Sequence, residues 1–153
     1  PLNPFDNLHI YWNCYAEYFG FNQDKMCIPL NNTLVIHIRN GDVYIPLTGR
    51  GHAPHRYGQQ SAPSILAAVL LRRWKEVIVI SEIRPNEDNS GPVLDFLYSV
   101  RQLLPFPILF PSGSFKEDLK RWLCAENVVL SHSTLNNLLH TKTRGTIFLP
   151  GDI

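Results

Sequence analysis

The chain has 153 residues, of which 44% are hydrophobic, and its 14 basic and 13 acidic side chains leave a net charge of +1. That length is enough to bury one sizeable core, since domains cluster at about 100 to 150 residues. The near-balanced charge lacks the basic excess of a surface that neutralises many phosphates, so no nucleic-acid partner is expected. The longest apolar stretch, 62–71, is well short of the roughly 20 residues a bilayer requires, so no membrane span is expected.

In chain order, residues 1–32 are rich in aromatics (Phe5, Tyr11, Trp12, Tyr15, Tyr18) and lack a clean strand period. They read as an N-terminal extension or linker ahead of a single domain at 33–153. No charged leader or cleavable hydrophobic segment precedes them, so the chain reads as a trimmed or processed product whose targeting information was cut away. Its three cysteines, Cys14, Cys27 and Cys124, form no C-x-x-C or Cys/His cluster, which argues against structural zinc and dithiol redox chemistry. A Cys14 to Cys27 disulfide is one expectation if the chain folds in a secretory compartment, where Asn31-Asn32-Thr33 would be a formal glycosylation sequon. Cys124 lies in an apolar helical pattern and reads as a small buried hydrophobe.

From residue 34 on, short β-branched runs alternate with amphipathic segments. The predicted strands are 34–39, 77–81, 106–110, 128–131 and 146–149. The predicted helices are 62–74, 92–103, 115–125 and roughly 135–141. The strands are too apolar to have a wet face, so they belong to a parallel sheet covered on both sides. The expected fold is therefore α/β, a Rossmann-like sheet of about five parallel strands with helical crossovers. Ser114 and Glu117 form an S-x-x-E capping box that marks the third helix start. The segment 45–60, which holds Pro46, Pro54, His52 and His55, reads as a long loop.

Two constellations carry chemistry. In the first strand, His37 and Arg39 fall on one face and Ile36 and Ile38 on the other, because strand side chains alternate. Ligands of open α/β sheets lie beyond the carboxyl ends of the strands, where Arg39 stands, and its forked guanidinium suits a diphosphate. The alternatives are an Arg39 paired with Asp42 and a His37 satisfied within the core. In the second, the strand ending at Ser131 runs through His132 into Ser133, Thr134 and Leu135 at a helix start, a seat for phosphate oxygens or a simple N-cap. Glu82, at the end of the second strand, would accept hydrogen bonds from a base or ribose, or stand exposed. His52 and His55 would assist an acceptor hydroxyl, or be solvated loop side chains.

The pattern His37-x-Arg39-x-x-Asp42, followed by Tyr57-Gly58-Gln59, Val79-Ile80-Ser81-Glu82, Asp118-Leu119 and Ser131-x-Ser133-Thr134-Leu135, resembles the superfamily of GDP-fucose-dependent fucosyltransferases, which includes α-1,2-, α-1,6- and protein O-fucosyltransferases. The resemblance covers roughly residues 33–150, in order. It implies the C-terminal donor-binding half of a GT-B glycosyltransferase and inverting transfer of fucose from GDP-fucose to a glycan or protein hydroxyl. It implies that Arg39 contacts the β-phosphate as the catalytic cation. Ser133 and Thr134 would hold phosphate beside Ser131 and Leu135, His37 and Asp118 would hold the ribose or guanine, and Asp42 would be a structural part of the motif. Asn40 stands where many α-1,2 and α-1,6 enzymes have a second arginine, and Leu135 replaces a common phenylalanine. The sequence has no D-x-D-like pair, so neither a metal nor a cofactor beyond the nucleotide-sugar donor is expected.

A partner N-terminal domain for the acceptor is implied by the same likeness, and without it the chain alone is expected to transfer little. The lumen of the secretory pathway is the expected location if the source is eukaryotic, the cytoplasm otherwise. Two other functions compete: a nucleotide- or sugar-phosphate-binding module without turnover, and a structural α/β interaction domain.

Overall fold

A computed structural model describes Cys27 and residues 30–41, 62–131 and 146–148. Among the described residues there are five strands: β1 (Leu30–Ile38), β2 (Glu76–Ser81), β3 (Ile108–Leu109), β4 (Ala125–Val129) and β5 (Thr146–Phe148). Three α-helices among the described residues fall between β1 and β4, α1 (Ala62–Leu70), α2 (Pro92–Val100) and α3 (Phe115–Cys124). All strand pairs are parallel, in the order β3-β2-β1-β4-β5. The α/β Rossmann-like class read from the sequence is the observed one. The fourth predicted helix, the loop 45–60 and most of the N-terminal extension lie outside the described residues.

Strand alternation divides the core into two layers. On one face of β1, Leu34, Ile36 and Ile38 pack with Ile65, Ala68 and Val69 of α1 and with Val93, Leu94 and Leu97 of α2. On the other, Val35 packs with Leu119, Trp122 and Leu123 of α3 and with Val128 and Leu130. The central strands are thus dry on both sides, which is why their sequences are nearly continuous apolar runs.

Several boundaries differ from the expected ones, each for a local reason. The first helix stops at Leu70 rather than Trp74, because the buried Trp74 folds back and its indole N–H donates to the carbonyls of Ala68 at 3.3 Å and Val69 at 3.1 Å. A side chain thereby satisfies helix-end acceptors that backbone leaves open. The second helix tightens after Val100 into a 3-10 turn, Arg101–Leu103, with the Arg101 guanidinium over the Tyr98 ring and donating to the Tyr98 carbonyl. β3 is reduced to Ile108–Leu109 because Pro105 and Pro107 have no N–H to give the ladder; Pro107 contributes its carbonyl alone, accepting from Val77 N–H at 2.9 Å. β4 begins at Ala125 rather than Val128, with no loop after α3, the Ala125 N–H closing the helix on the Trp122 carbonyl.

β1 begins at Leu30, ahead of the expected domain boundary at 33. Its pairing with β4 shifts register between Leu30 and Leu34, and Asn32, with φ of 56°, supplies the left-handed residue of the irregularity. The distorted stretch is held by Lys75 N–H on the Asn32 carbonyl at 2.9 Å, by the Asn32 amide on the Arg73 carbonyl at 3.1 Å and by the Asn127 amide on the Thr33 carbonyl at 3.3 Å.

The cysteine expectations are overturned. Cys27 is disulfide-bonded to Cys124, across a sequence separation of 97. Cys14, which lies outside the described residues, therefore has no claim on Cys27. Cys124 is a half-buried cross-link at the last position of α3, not a free apolar side chain. Sequence spacing favoured the near pair; the fold instead brings the residues ahead of β1 to the end of α3.

Candidate functional site

The order 3-2-1-4-5 reverses direction between β1 and β4, and in open α/β sheets that reversal opens a crevice at the carboxyl ends of the strands. His37 is the penultimate residue of β1, and Ser131 follows the end of β4. Their side chains meet there: Ser131 Oγ lies 2.8 Å from His37 Nδ1. Trp122 of α3 closes edge-on against the His37 ring, with centroids 4.9 Å apart. His37 is therefore held from two directions, by a hydroxyl across the switch point and by an indole from the helix layer.

A cleft of about 420 Å³ opens beside this pair. Buried Ile80, Leu119 and Trp122 give it an apolar base; His37, Ser81, Glu82 and Asp118 supply polar groups; Gly113 and Phe115 complete the lining. An apolar hollow with a few convergent polar groups is the usual form of a small-molecule site. Phe115, Asp118, Leu119 and Trp122 follow the i, i+3, i+4, i+7 spacing of one helical stripe, so α3 presents a single face to the cleft.

Asp118 occupies the first turn of α3 but does not cap it. The cap is the Ser114 and Glu117 box, with Glu117 N–H on Ser114 Oγ at 3.3 Å and Ser114 N–H on Glu117 Oε2 at 2.8 Å. Asp118 instead accepts from Arg121 at 2.9 Å. Burial raises its carboxyl above the usual 3.8 and outweighs the opposing hydrogen bond and charge of Arg121. Between the usual and the raised value the folded chain binds more protons than the unfolded one, so Asp118 makes stability fall as pH rises through that window. Asp118→Asn is expected to flatten the pH dependence of the denaturation midpoint from about pH 4 upward. Parallel wild-type and mutant curves in a urea series would refute this.

The structure thus brings His37, Glu82 and Asp118 to one cleft and sets Ser131 on His37. Glu82 is exposed at the end of β2, as one of its two sequence readings had it, and it lines the cleft. Arg39 is half-buried, at the first position past β1, and is not among the residues that line the cleft. Asp42, His52, His55, Ser133, Thr134 and Leu135 lie outside the described residues.

Asn40, the residue after Arg39, is buried. Its amide donates to Ser81 Oγ and, at 3.2 Å, to the Ile83 carbonyl. It joins the ends of β1 and β2. Gly41 continues this turn with φ of 74°, in the left-handed region that favours glycine.

Sequence reasoning missed Trp122, Phe115 and Ser81 as cleft residues. The signal for the first two was present in the helical spacing from Asp118; for Ser81 it was the strand-end position beside Glu82. Neither a protein-family model nor a curated protein matches the chain, so its own side chains are what speak for a function.

Proposed function

We propose that the chain is the donor-binding domain of a glycosyltransferase similar to the inverting fucosyltransferases, taking GDP-fucose or a related nucleotide sugar and serving a glycan or protein hydroxyl as acceptor. The observation that carries the reading is the His37–Ser131 contact at the switch point, opening onto a cleft that holds Glu82 and Asp118. Two carboxylates make this hollow a poor seat for phosphate and a good one for the hydrogen-bond donors of a ribose or purine edge. In this reading the base and ribose enter the cleft. The diphosphate lies outside it, toward Arg39 and the residues after Ser131.

The acceptor hydroxyl then attacks the anomeric carbon from the face opposite GDP, its proton passes to water, the carbon–phosphate-oxygen bond breaks, and GDP leaves with its charge met by the Arg39 guanidinium and by N–H and hydroxyl donors after β4. Stabilising the departing charge is commonly the largest single catalytic contribution.

Titration calorimetry with GDP, GDP-fucose, UDP and ADP tests the proposal. Guanine nucleotides are expected to bind and the others to bind more weakly; no heat with any of them refutes it. Arg39→Ala is expected to weaken GDP by about 1.5–3 kcal/mol, the scale of a charge-assisted hydrogen bond, with the circular dichroism spectrum unchanged. Unaltered GDP affinity in the folded mutant removes Arg39 from the phosphate site.

A further inference from the structure

We infer that Asn31 is an N-linked glycosylation site, bearing its glycan at the end of the sheet remote from the cleft. Asn31-Asn32-Thr33 meets the N-x-[ST] requirement with a threonine and no proline, and it is the sole such triplet in the 153 residues. A bare triplet occurs often by chance, and two structural observations lift this one above chance. The first is the Cys27–Cys124 disulfide, a bond that persists in oxidising compartments, where the glycosylation machinery also works.

The second is the placement of Asn31. It falls in the register shift between β1 and β4, is exposed, and has no ladder partner on β4. Asn32 and Thr33 are engaged, Asn32 through its amide on the Arg73 carbonyl and Thr33 by burial beside Glu76 of β2. The triplet therefore folds with its acceptor residue outward and its hydroxyl residue inward. That is compatible with transfer to the nascent chain before Thr33 is enclosed. Asn31 lies in the irregular stretch before Leu34, and the three regular steps from Leu34 to His37 alone set that stretch about 10 Å back from His37 at roughly 3.3 Å per residue. A glycan at Asn31 would leave the strand ends open.

The step is a group transfer from a lipid diphosphate oligosaccharide, catalysed by the host's oligosaccharyltransferase. A bond forms between Asn31 Nδ2 and the anomeric carbon of the first sugar, the bond from that carbon to the phosphate oxygen breaks, Nδ2 loses one proton, and the lipid diphosphate departs. No oxidant or reductant is needed.

The test is to express the full chain behind a cleavable secretion signal in a glycosylating eukaryotic cell and to treat both lysate and medium with peptide N-glycosidase. A mobility step removed by the enzyme is expected, with Asn31 converted to aspartate in the peptide map. Asn31→Gln and, independently, Thr33→Val should each abolish the step; the second keeps the buried side-chain volume. Because transfer precedes folding, the lysate reports even on chains that are not secreted. Unmodified Asn31 as the main species in both pools, or a step that survives both substitutions, overturns the inference.

Discussion

Trp122→Ala is expected to destabilise the chain by about 3–5 kcal/mol, the usual cost of emptying an aromatic site in a packed core. Trp122 is 2% exposed and packs with Val35, Leu119 and Leu123 in the α3 layer. Its loss also removes the ring against which His37 is set. Trp122→Phe makes the informative control. The indole Nε1 is buried without a hydrogen-bond partner among the described residues, so phenylalanine gives up some volume but also removes an unsatisfied donor, and a net cost of about 1 kcal/mol is expected. Urea denaturation of the three proteins decides this. A phenylalanine mutant as unstable as the alanine mutant would show that Nε1 has a partner after all.

The second large effect belongs to the disulfide. Opening a loop of 97 residues releases about 4 to 5 kcal/mol of constraint on the unfolded chain in the loop-entropy description. Cys27→Ser, Cys124→Ser and reduction by a dithiol are expected to lower the unfolding free energy by similar amounts, and reductant should have no further effect on either mutant. An unchanged midpoint under reducing conditions would mean that the cross-link adds nothing to the fold. Since Cys124 ends the helix that carries Asp118 and Trp122, nucleotide titration of the reduced chain shows separately whether the cleft depends on this tether.

Much of the fold was legible in the sequence because burial on both faces leaves a strong mark: Leu34 to Ile38 is apolar but for His37, and Val77 to Ile80 is an unbroken β-branched run. The capping box at Ser114 was legible for a different reason, as a local hydrogen-bond pattern that needs no tertiary partner. What escaped depends on tertiary geometry. Trp74 ends a helix by folding back onto it, Cys27 reaches a cysteine far along the chain rather than Cys14, and Asn40 turns from the site into the β1–β2 junction. Of the site, His37, Ser131, Glu82 and Asp118 were foreseen as strand-end or helix-start residues, and three of them line the cleft. The aromatic side chains there were hidden, because an aromatic residue on a helix stripe reads equally well as core.

The passage from α3 to β4 without a loop has a consequence for how the molecule tolerates change in length. Cys124 is helical and Ala125 is already strand, so no slack separates the wall of the cleft from the strand that delivers Ser131 to His37. One inserted residue at this junction would reverse the alternation of β4, turning Val128 away from the α3 layer and displacing Ser131 from its register opposite His37. The exposed polar residues 86–89, between β2 and α2, belong to no strand, so lengthening there brings no such reversal. Insertions arising in this domain should therefore accumulate between β2 and α2 and be eliminated between α3 and β4.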